Sequence, residues 1–437
     1  MAERGPFLTQ PYSAYLNRDV PSEDVELTHV GPGTPCGEYL RRFWHPVAFS
    51  DELKDLPKAI KIMAEELVVF RDGTGRVGLL QPHCAHRGTS LEYGLVSERG
   101  IRCCYHGWLF DVDGRILETP GEPAGSTLKN RLCQGAYPVH EYKGLVFAYM
   151  GPPNRKPAFP VLDTFNLPGY RCLPGRRHVI PCNWLQIKDN CMDPAHSQFL
   201  HTIVSGAQFT EEFGVLPETE WHETSCGMVY VATRRIGDLV WVRIADFIPP
   251  NIHQFPPTWE TGREEKLFSR PYMTIWAVPV DDTTTINTGY LHVPDTMELT
   301  EERLVKLKAS VGQTGDRPYE ERQRRPGDFD AQVTQRPIAV HALEHLGTTD
   351  RGVIMMRKLI RDGIRTTREG GDPRGVDLGG GRPIPTYSQD TVLRLPPAAA
   401  PEAERQLLLE TGRRVLAGHY VKNPPPGLVA PAYALVS

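Results

Sequence analysis

Two short cysteine–histidine pairs constrain this chain more than any other feature of its sequence. The first is Cys84-x-His86, and sixteen residues later comes the second, Cys103-x-x-His106. Four such ligands can hold a structural zinc, which prefers a tetrahedron of nitrogen and sulfur donors. Zinc motifs, however, usually group the two cysteines and then the two histidines. Here each loop supplies one cysteine and one histidine, so the order favours a two-metal centre that both loops hold together.

Two cysteines on one iron and two histidines on the other are the ligand set of a Rieske [2Fe–2S] centre. Cys103 has an adjacent neighbour, Cys104, but only Cys103 has the right spacing to His106. We therefore expect Cys104 to be a packed thiol rather than a ligand. Glycine follows both pairs, at Gly88 and Gly107, and permits the tight turns that cluster loops need. The pattern predicts that this protein transfers electrons.

The sequence segments that flank these loops predict β-hairpins. Asp72-Gly73 lies between the apolar runs 67–70 and 77–80, and Asp113-Gly114 lies between the runs 108–110 and 115–117. Asp-Gly between apolar runs is a strong hairpin signal. Residues 40–155 are therefore expected to form an all-β domain that carries the cluster.

A second candidate metal site lies downstream, where His196 and His201 are five residues apart. In a regular helix their directions diverge by about 140°. Both can reach one metal only if the helix is distorted, for example by a π-bulge. Oxygen-activating ferrous iron commonly sits on two histidines and one carboxylate. By itself the spacing also fits two ordinary structural histidines. Asp193 before Pro194 likewise fits a helix N-cap. The two cysteine–histidine pairs upstream nevertheless favour an iron site here.

The segment Asn190-x-x-Asp193-x-x-His196-x4-His201, together with the cluster pairs, resembles the catalytic α subunits of Rieske non-haem iron oxygenases. The resemblance extends over nearly the whole chain. Residues 30–35 and 43–47 are similar to the phthalate dioxygenase and O-demethylase side of that family, whose α subunits work without a β subunit. The Cys103-Cys104 pair departs from the family's commoner Cys-Pro, and we expect no functional consequence.

The resemblance implies one mononuclear Fe(II) per subunit, held by His196, His201 and a distant aspartate. The best match for that aspartate is Asp350, which opens an apolar helical pattern. Asp350 could instead cap that helix and interact with its dipole. The competing carboxylates are Asp246, Asp328 and Asp330.

The resemblance also assigns Asp193 as a bridge for electrons and protons between subunits. It would connect the iron site of one subunit to His86 or His106 of its neighbour, which implies a ring-shaped homotrimer or stacked trimers. Asn190 would lie near the iron without ligating it. No segment offers a convincing flavin or nicotinamide fingerprint, so electrons are expected from a separate reductase, directly or through a ferredoxin.

For the fold, the expectation is an α+β chain. An N-terminal segment, 1–39, would pack on the catalytic domain; 40–155 would be the Rieske domain; and 156–437 would hold the mononuclear iron. Alternating apolar and polar residues over 227–249 and 272–293 predict antiparallel strands, and Thr300 is expected to cap a helix. The resemblance identifies the catalytic domain as a helix-grip fold.

The expected activity is hydroxylation, by one or two oxygen atoms, of an aromatic carboxylate of the phthalate or benzoate type. O-demethylation of a methoxylated aromatic acid and a non-catalytic Rieske electron carrier are the alternatives. A carboxylate requires a cationic anchor, and Arg243 on a predicted strand is the preferred one because arginine binds carboxylates bidentately. Arg234 and Arg235 are the alternatives, and each could equally be a solvated strand residue.

Composition excludes several other classes. A net charge of −4 gives no reason to expect nucleic acid or an anionic membrane. Nine cysteines without a disulfide framework suit a reducing cytoplasm, and no apolar run approaches the length of a membrane span. His341-x-x-Glu344-His345 matches a zinc peptidase pattern, but so short a match is weak.

Overall fold

The structure is a computed structural model that describes residues 8–16, 20–257, 265, 271–308, 312–376 and 383–418. Parts of the expected N-terminal segment and of the expected catalytic domain therefore lie outside the described residues. The helices are α1 (Val25–Thr28), α2 (Pro35–Leu40), α3 (Trp184–Cys191), α4 (His196–Gln198), α5 (Glu301–Lys308), α6 (Tyr319–Arg324), α7 (Asp328–Val333), α8 (Arg351–Arg368) and α9 (Pro401–Gly418).

The strands alternate with short turns in the first third of the chain and lengthen after residue 170. They are β1 (Trp44–Phe49), β2 (Lys58–Ile62), β3 (Glu65–Arg71), β4 (Val77–Leu80), β5 (Leu95–Val96), β6 (Ile101–Arg102), β7 (Leu109–Phe110), β8 (Ile116–Glu118), β9 (Val139–Tyr142), β10 (Leu145–Tyr149), β11 (Tyr170–Ile180), β12 (Glu218–Glu223), β13 (Met228–Ile236), β14 (Leu239–Ile248), β15 (Ile252–Phe255), β16 (Met273–Asp281), β17 (Thr284–Pro294) and β18 (Gln389–Arg394).

Three small antiparallel sheets occupy the region between residues 44 and 149. Their strand orders are β1-β10-β9, β2-β3-β4 and β5-β6-β7-β8. Both predicted hairpins are present, and the second turns through Gly114 at φ +86°, a conformation that glycine adopts without strain. A compact cluster that includes Phe70, Ile101 and Phe110 packs beneath the two cysteine–histidine loops. These sheets confirm the all-β prediction for this region.

One large antiparallel sheet organises the rest of the chain. Its order is β11-β17-β16-β15-β14-β13-β12, and β18 also pairs with β14. Every residue of β14 is buried because helices cover the sheet and β13, β15 and β18 pair with it. On one face, Val231 and Val242 pack against Leu408 and Val415 of α9. Helices on an antiparallel sheet confirm the α+β prediction.

Helices α3, α7 and α8 arrange the remaining side chains. α3 packs on β16 and α7, whereas α8 packs on α1 and α2. The guanidinium of Arg361 on α8 pairs with Asp24 and Glu26, which ties the N-terminal helices to α8. The domain limits 1–39, 40–155 and 156–437 stay a prediction. None of the helices in the described ranges combines the length and apolar character needed to cross a bilayer.

Candidate active site

The two cysteine–histidine loops have the same backbone turn. The carbonyl of Cys84 accepts a hydrogen bond from the N–H of Gly88 at 2.8 Å, and that of Cys103 accepts one from Gly107 at 3.0 Å. Both glycines have positive φ, +78° and +74°. Such turns expose successive N–H groups at the loop tips, which suits contact with cluster sulfurs.

The four candidate ligands sort into a thiol pair and an imidazole pair. Cys84 and Cys103 are buried; burial and the neighbouring thiol raise the pKa of Cys84 to about 11. The rings of His86 and His106 have centroids 4.5 Å apart and are nearer the surface. Across the described chain, these four do not form a group whose ligand atoms fit around a single ion. Two separate pairs fit a two-iron cluster better than a zinc tetrahedron.

Two further residues support the loops. Gln134, 3% exposed, accepts a hydrogen bond from the N–H of Ala85 at 2.8 Å and donates to the carbonyl of His83 at 3.0 Å. The Trp108 ring stacks on His86 with centroids 4.6 Å apart. Sequence reasoning missed Gln134, because no local pattern marks it. Cys104, expected as a packed thiol, is exposed, so that expectation is wrong: its side chain points outward from the turn.

The second candidate site is built on a distorted helix. α4 begins at His196 and runs directly into a π-helical turn, Phe199–Ile203. The wider turn brings His201 back to the side of His196, and their ring centroids are 5.1 Å apart. The predicted distortion of this helix is confirmed.

A carboxylate completes this group, and it is that of Asp328, the first residue of α7. Its Oδ1 lies 3.2 Å from Nε2 of His201 and 3.7 Å from Nε2 of His196. The three ligand atoms lie within 4.8 Å of one another, as a single ion requires. Burial by itself would raise the pKa of Asp328, but the two imidazoles and the amide of Gln313 hold it well below its usual range.

Each imidazole is oriented through its other nitrogen. Nδ1 of His196 donates to the main-chain carbonyl of Asp193. Nδ1 of His201 donates to Oε1 of Gln208 at 2.9 Å, and Gln208 in turn donates to the carbonyl of Pro326 at 2.9 Å. Both Nε2 lone pairs are thereby directed toward Asp328. This arrangement is typical of metal-ligating histidines.

Electrostatic interactions stabilise the group formed by His196, His201 and Asp328. Burial lowers the pKa of His201, but the carboxylate of Asp328 outweighs that effect and raises it. Asn190 donates from Nδ2 to Oδ1 of Asp328 at 3.0 Å. Asn190 therefore lies beside the group and holds its carboxylate.

The structure corrects the prediction for Asp350. Oδ2 of Asp350 accepts a hydrogen bond from the N–H of Gly347 at 2.6 Å, at the start of α8. Asp350 is not part of the group formed by His196 and His201. It occupies the N-cap position of α8, but its carboxylate bonds back to the short turn Thr348–Asp350 and makes no capping hydrogen bond to α8 itself. The physical reason is that α8 packs on the N-terminal helices, whereas α7 packs on α3 beside the histidines.

The other two carboxylates that competed for this role have structural partners. Oδ2 of Asp246 accepts hydrogen bonds from the N–H groups of Tyr387 and Ser388 at 2.8 and 2.6 Å. Asp330 forms ion pairs with Arg317 and Arg322 at 3.0 and 2.5 Å. Asp328 is the member of the competing set that faces the histidines.

The structure also corrects the prediction that Arg243 anchors the substrate. Its guanidinium is buried against Asp390 at 3.3 Å and donates to the carbonyls of Pro256 and Pro257 at 3.2 and 2.9 Å. These partners already satisfy its charge. The alternative Arg235 pairs with Glu404 at 2.7 Å.

Arg234, the remaining alternative, is enclosed. It donates to the carbonyl of Val215 at 2.8 Å and to Oγ of Ser197 at 3.0 Å. Its guanidinium lies over the rings of Phe213 and Trp241 at 5.2 and 5.1 Å. These contacts make Arg234 a support for the helix that carries His196.

The contacts of the motif His341-x-x-Glu344-His345 do not support a peptidase site. His341 and Glu344 lie near Asp189, and the three could surround one ion. The guanidinium of Arg357, however, pairs with Asp189 at 2.6 Å and with Glu344 at 2.5 Å. A fixed cation already neutralises these carboxylates.

Comparisons with known proteins agree with this architecture. Residues 43–142 match the Rieske [2Fe-2S] domain, and residues 180–366 match the vanillate O-demethylase oxygenase C-terminal domain. The oxygenase subunit of a tert-butanol monooxygenase / tert-amyl alcohol desaturase from Aquincola tertiaricarbonis is 45% identical over 93% of this chain and 91% of its own length. The chain is a Rieske oxygenase α subunit.

Two further matches support the assignment to the Rieske oxygenases. The α subunit of a phenoxybenzoate dioxygenase from Ectopseudomonas oleovorans is 38% identical over 86% of this chain and 93% of its own length. The structure of Pseudomonas putida CBB5 NdmA with caffeine covers 80% of this chain and 100% of its own with a TM-score of 0.60, at 20% identity. This likeness shows a shared fold. Rieske oxygenases carry a [2Fe–2S] cluster and a mononuclear iron, and they work with O2 and a separate reductase.

Proposed function

We propose that this chain is a terminal oxygenase that hydroxylates an aromatic carboxylate of the phthalate or benzoate type. The observation that supports the catalytic part is the convergence of His196, His201 and Asp328. Two histidines and one carboxylate leave coordination positions open for O2 beside the substrate. Cys84, Cys103, His86 and His106 would hold the cluster. When bound, the two groups supply single-electron transfer and oxygen activation.

The surrounding side chains hold these ligands in place. Gln208 fixes the ring of His201 through Nδ1, and Asn190 fixes the Asp328 carboxylate through Oδ1. Neither is a ligand in this proposal. Ligand basicity and orientation depend on such partners, so both would tune how strongly the metal is held.

Asp193 is the proposed bridge between subunits. Its Oδ1 accepts a hydrogen bond from the N–H of Ala195 at 2.8 Å, and its Oδ2 lies 3.7 Å from Nδ1 of His196. Its side chain is 28% exposed and can therefore accept a further hydrogen bond. We propose that the donor is His86 or His106 of a second copy of the chain, which requires a ring, as a homotrimer or stacked trimers. A carboxylate bonded to both imidazoles would couple proton movement to electron transfer.

The phenoxybenzoate relative supports an aromatic carboxylate as substrate. Two other substrates have specific support. O-demethylation of a methoxylated aromatic acid agrees with the family of the C-terminal domain, and a small tertiary alcohol agrees with the 45% identical relative. A non-catalytic electron carrier is set aside, because the chain contains a second group of side chains that could hold a metal ion and its relatives are oxygenase subunits. A ferredoxin intermediate and a cytoplasmic location are part of the proposal.

The ligand assignment is tested by metal analysis without any substrate. Iron, acid-labile sulfide and the EPR spectrum of the reduced protein would be measured for the wild type, Asp328→Ala and Asp350→Ala. We expect Asp328→Ala to lose about one iron per chain and to keep the sulfide and the cluster signal. Asp350→Ala should keep the iron content, the sulfide content and the cluster signal of the wild type. Loss of iron in Asp350→Ala but not in Asp328→Ala would contradict the assignment, and zinc without a cluster signal would overturn the proposal.

A further inference from the structure

One short segment, residues 133–137, contacts the chain on both sides of the cysteine–histidine loops. Ala136 forms an antiparallel bridge with Leu80, at the end of the strand that leads into the first loop. Cys133 forms an antiparallel bridge with Arg115, in the hairpin that follows the second loop. The segment therefore connects the chain before the first loop to the chain after the second.

Within this segment, the main chain of Gln134 is fixed to the hairpin. Its N–H donates to the carbonyl of Gly114 at 2.8 Å, and Gly114 occupies the turn at φ +86°. A Cβ on Gly114 would lie 2.1 Å from the carbonyl oxygen of Gln134, so the two backbones are in close contact. The position of Gln134 relative to the hairpin after the second loop is thereby set.

The side-chain amide of Gln134 bonds to the backbone that leads into and forms the first loop. Oε1 accepts a hydrogen bond from the N–H of Ala85 at 2.8 Å. Nε2 donates to the carbonyls of Gln81 at 2.8 Å and His83 at 3.0 Å. These partners define the orientation of the amide, because exchanging its oxygen and nitrogen would oppose donor to donor and acceptor to acceptor. Gln134 is 3% exposed, so its amide depends on these three partners.

The peptide that Gln134 holds lies between the two candidate ligands of the first loop. The N–H of Ala85 points to Gln134. The N–H groups of the next two residues, His86 and Arg87, donate instead to Sγ of Cys84. Burial is the largest effect on this thiol and raises its pKa, whereas these two hydrogen bonds favour its thiolate. Gln134 thus holds the loop in the turn that directs two N–H groups at the sulfur.

The direction of these N–H groups matters because the cluster gains negative charge on reduction. Hydrogen bonds to the sulfurs stabilise that charge, and the reduction potential of an iron–sulfur cluster depends on them. We propose that Gln134 is a positioning residue for the [2Fe–2S] cluster, and that it raises the reduction potential by holding the N–H groups of the first loop toward the sulfur. This inference rests on the proposed cluster ligands and adds a residue outside both cysteine–histidine pairs.

The experiment measures the reduction potential of the full-length protein rather than its turnover. Redox titrations followed by EPR would compare the wild type with Gln134→Met, which has a similar volume and lacks all three hydrogen bonds. We expect the equilibrium constant for reduction to fall about tenfold, the effect of weakening one hydrogen bond to a charged group. This corresponds to a potential lower by about 59 mV for a one-electron couple. The g values of the reduced cluster should change as well.

Two controls separate positioning from a general loss of stability. Ile116→Val removes one methylene group from the core beneath the loops, so it should lower the melting temperature and leave the potential unchanged. Gln406→Met, at an exposed position on α9, should change neither. A milder variant, Gln134→Asn, keeps the amide on a shorter side chain and should lower the potential by less than Gln134→Met does.

Several results would overturn the inference. These are an unchanged or higher potential in both Gln134 variants, or an equal shift in Ile116→Val, which would make the effect one of stability. Loss of iron and sulfide from both Gln134 variants would overturn it too, because the amide would then retain the cluster rather than tune it. If the wild type holds the cluster while the potential test fails, only this inference fails; if the wild type lacks iron and sulfide, the proposed function fails.

Discussion

At the scale of single residues, a second hydrogen bond decides what each histidine can do. His201 donates through Nδ1 to Gln208, so its Nε2 has a lone pair directed at Asp328. His45 has the opposite environment: it is fully buried and bonds through Nε2 to the carbonyl of Leu40 at 2.8 Å. His201 is therefore oriented to bind a metal, whereas His45 is a neutral residue of the core.

Removing the amide of Gln208 should weaken the metal site without unfolding it. We expect Gln208→Ala to lower the affinity for iron about 10- to 100-fold, the usual effect of losing a partner of a ligand histidine. Competition with a chelator, followed by iron analysis, measures this. Gln406→Ala, at an exposed position on α9, is the matched control. Equal iron affinity in the two variants would show that Gln208 does not orient the ligand.

The buried His45 should make stability fall in mild acid. Burial lowers the pKa of His45 to about 4, so the folded chain stays unprotonated at this site while the unfolded chain takes up a proton below about pH 6.5. Stability is lost as pH falls from 6.5 to 4, by about 2 kcal/mol at pH 5 for this residue.

Urea unfolding at pH 7 and pH 5 measures this effect. His45→Gln keeps a donor for Leu40 and should lose less stability over that interval than the wild type does. His345→Gln, at an exposed position, should follow the wild type. An unchanged pH dependence in His45→Gln would refute the expectation.

At the scale of elements, local sequence and packing act together on the iron segment. The spacing of His196 and His201 requires a distorted helix, and the π-helical turn Phe199–Ile203 provides it. The third carboxylate comes from α7, which reaches the histidines because it packs against α3. Helix α8 must approach the end of α3 closely as well, and it does so at Gly352, where a Cβ would meet the Trp221 ring and lie 2.7 Å from the carbonyl of Met192.

Gly352→Ala should therefore destabilise the protein although alanine is the better helix former. Helix propensity favours alanine by about 1 kcal/mol, but overpacking against a ring and a backbone carbonyl costs about 1–3 kcal/mol. We expect a lower melting temperature in thermal unfolding. Gly125→Ala is the control, since a Cβ there meets nothing within 4 Å. A melting temperature equal to that of the control would mean that α8 can shift freely.

At the scale of the whole molecule, assembly is the property that the proposed mechanism depends on. Apolar side chains are exposed beside the cluster loops: Leu95 is 67% exposed and Tyr105 57% exposed. Leu95 pairs with Arg102, the residue before Cys103. A surface of this kind next to the two imidazoles suits contact with a second copy of the chain.

Leu95→Lys should dissociate the proposed oligomer and abolish turnover while the chain keeps its iron and sulfide. The reason is that a lysine at an apolar interface loses hydration without gaining a partner. Light scattering after size-exclusion chromatography gives the mass, and metal analysis checks the sites. Val305→Lys, at a position 64% exposed on α5, is the control. A monomeric wild type with full activity would exclude the bridge through Asp193.

The amino-acid sequence by itself determined the ligand types and the local elements. Both hairpins, the cluster pairs and the distortion between His196 and His201 follow from spacings within about twenty residues, where turn chemistry and helical periodicity act directly.

Only the tertiary structure decided among groups distant in sequence. Asp328, Asp350 and Arg243 all have suitable chemistry, and local pattern does not say which helix packs beside α3 or which charge already has a partner. Asp328 lies with the histidines because α7 meets α3, whereas Asp350 bonds to Gly347 in the turn before α8 and Arg243 pairs with Asp390. The physical reason is that a side chain's role depends on its neighbours in space, and those are set by helix and sheet packing rather than by position along the chain.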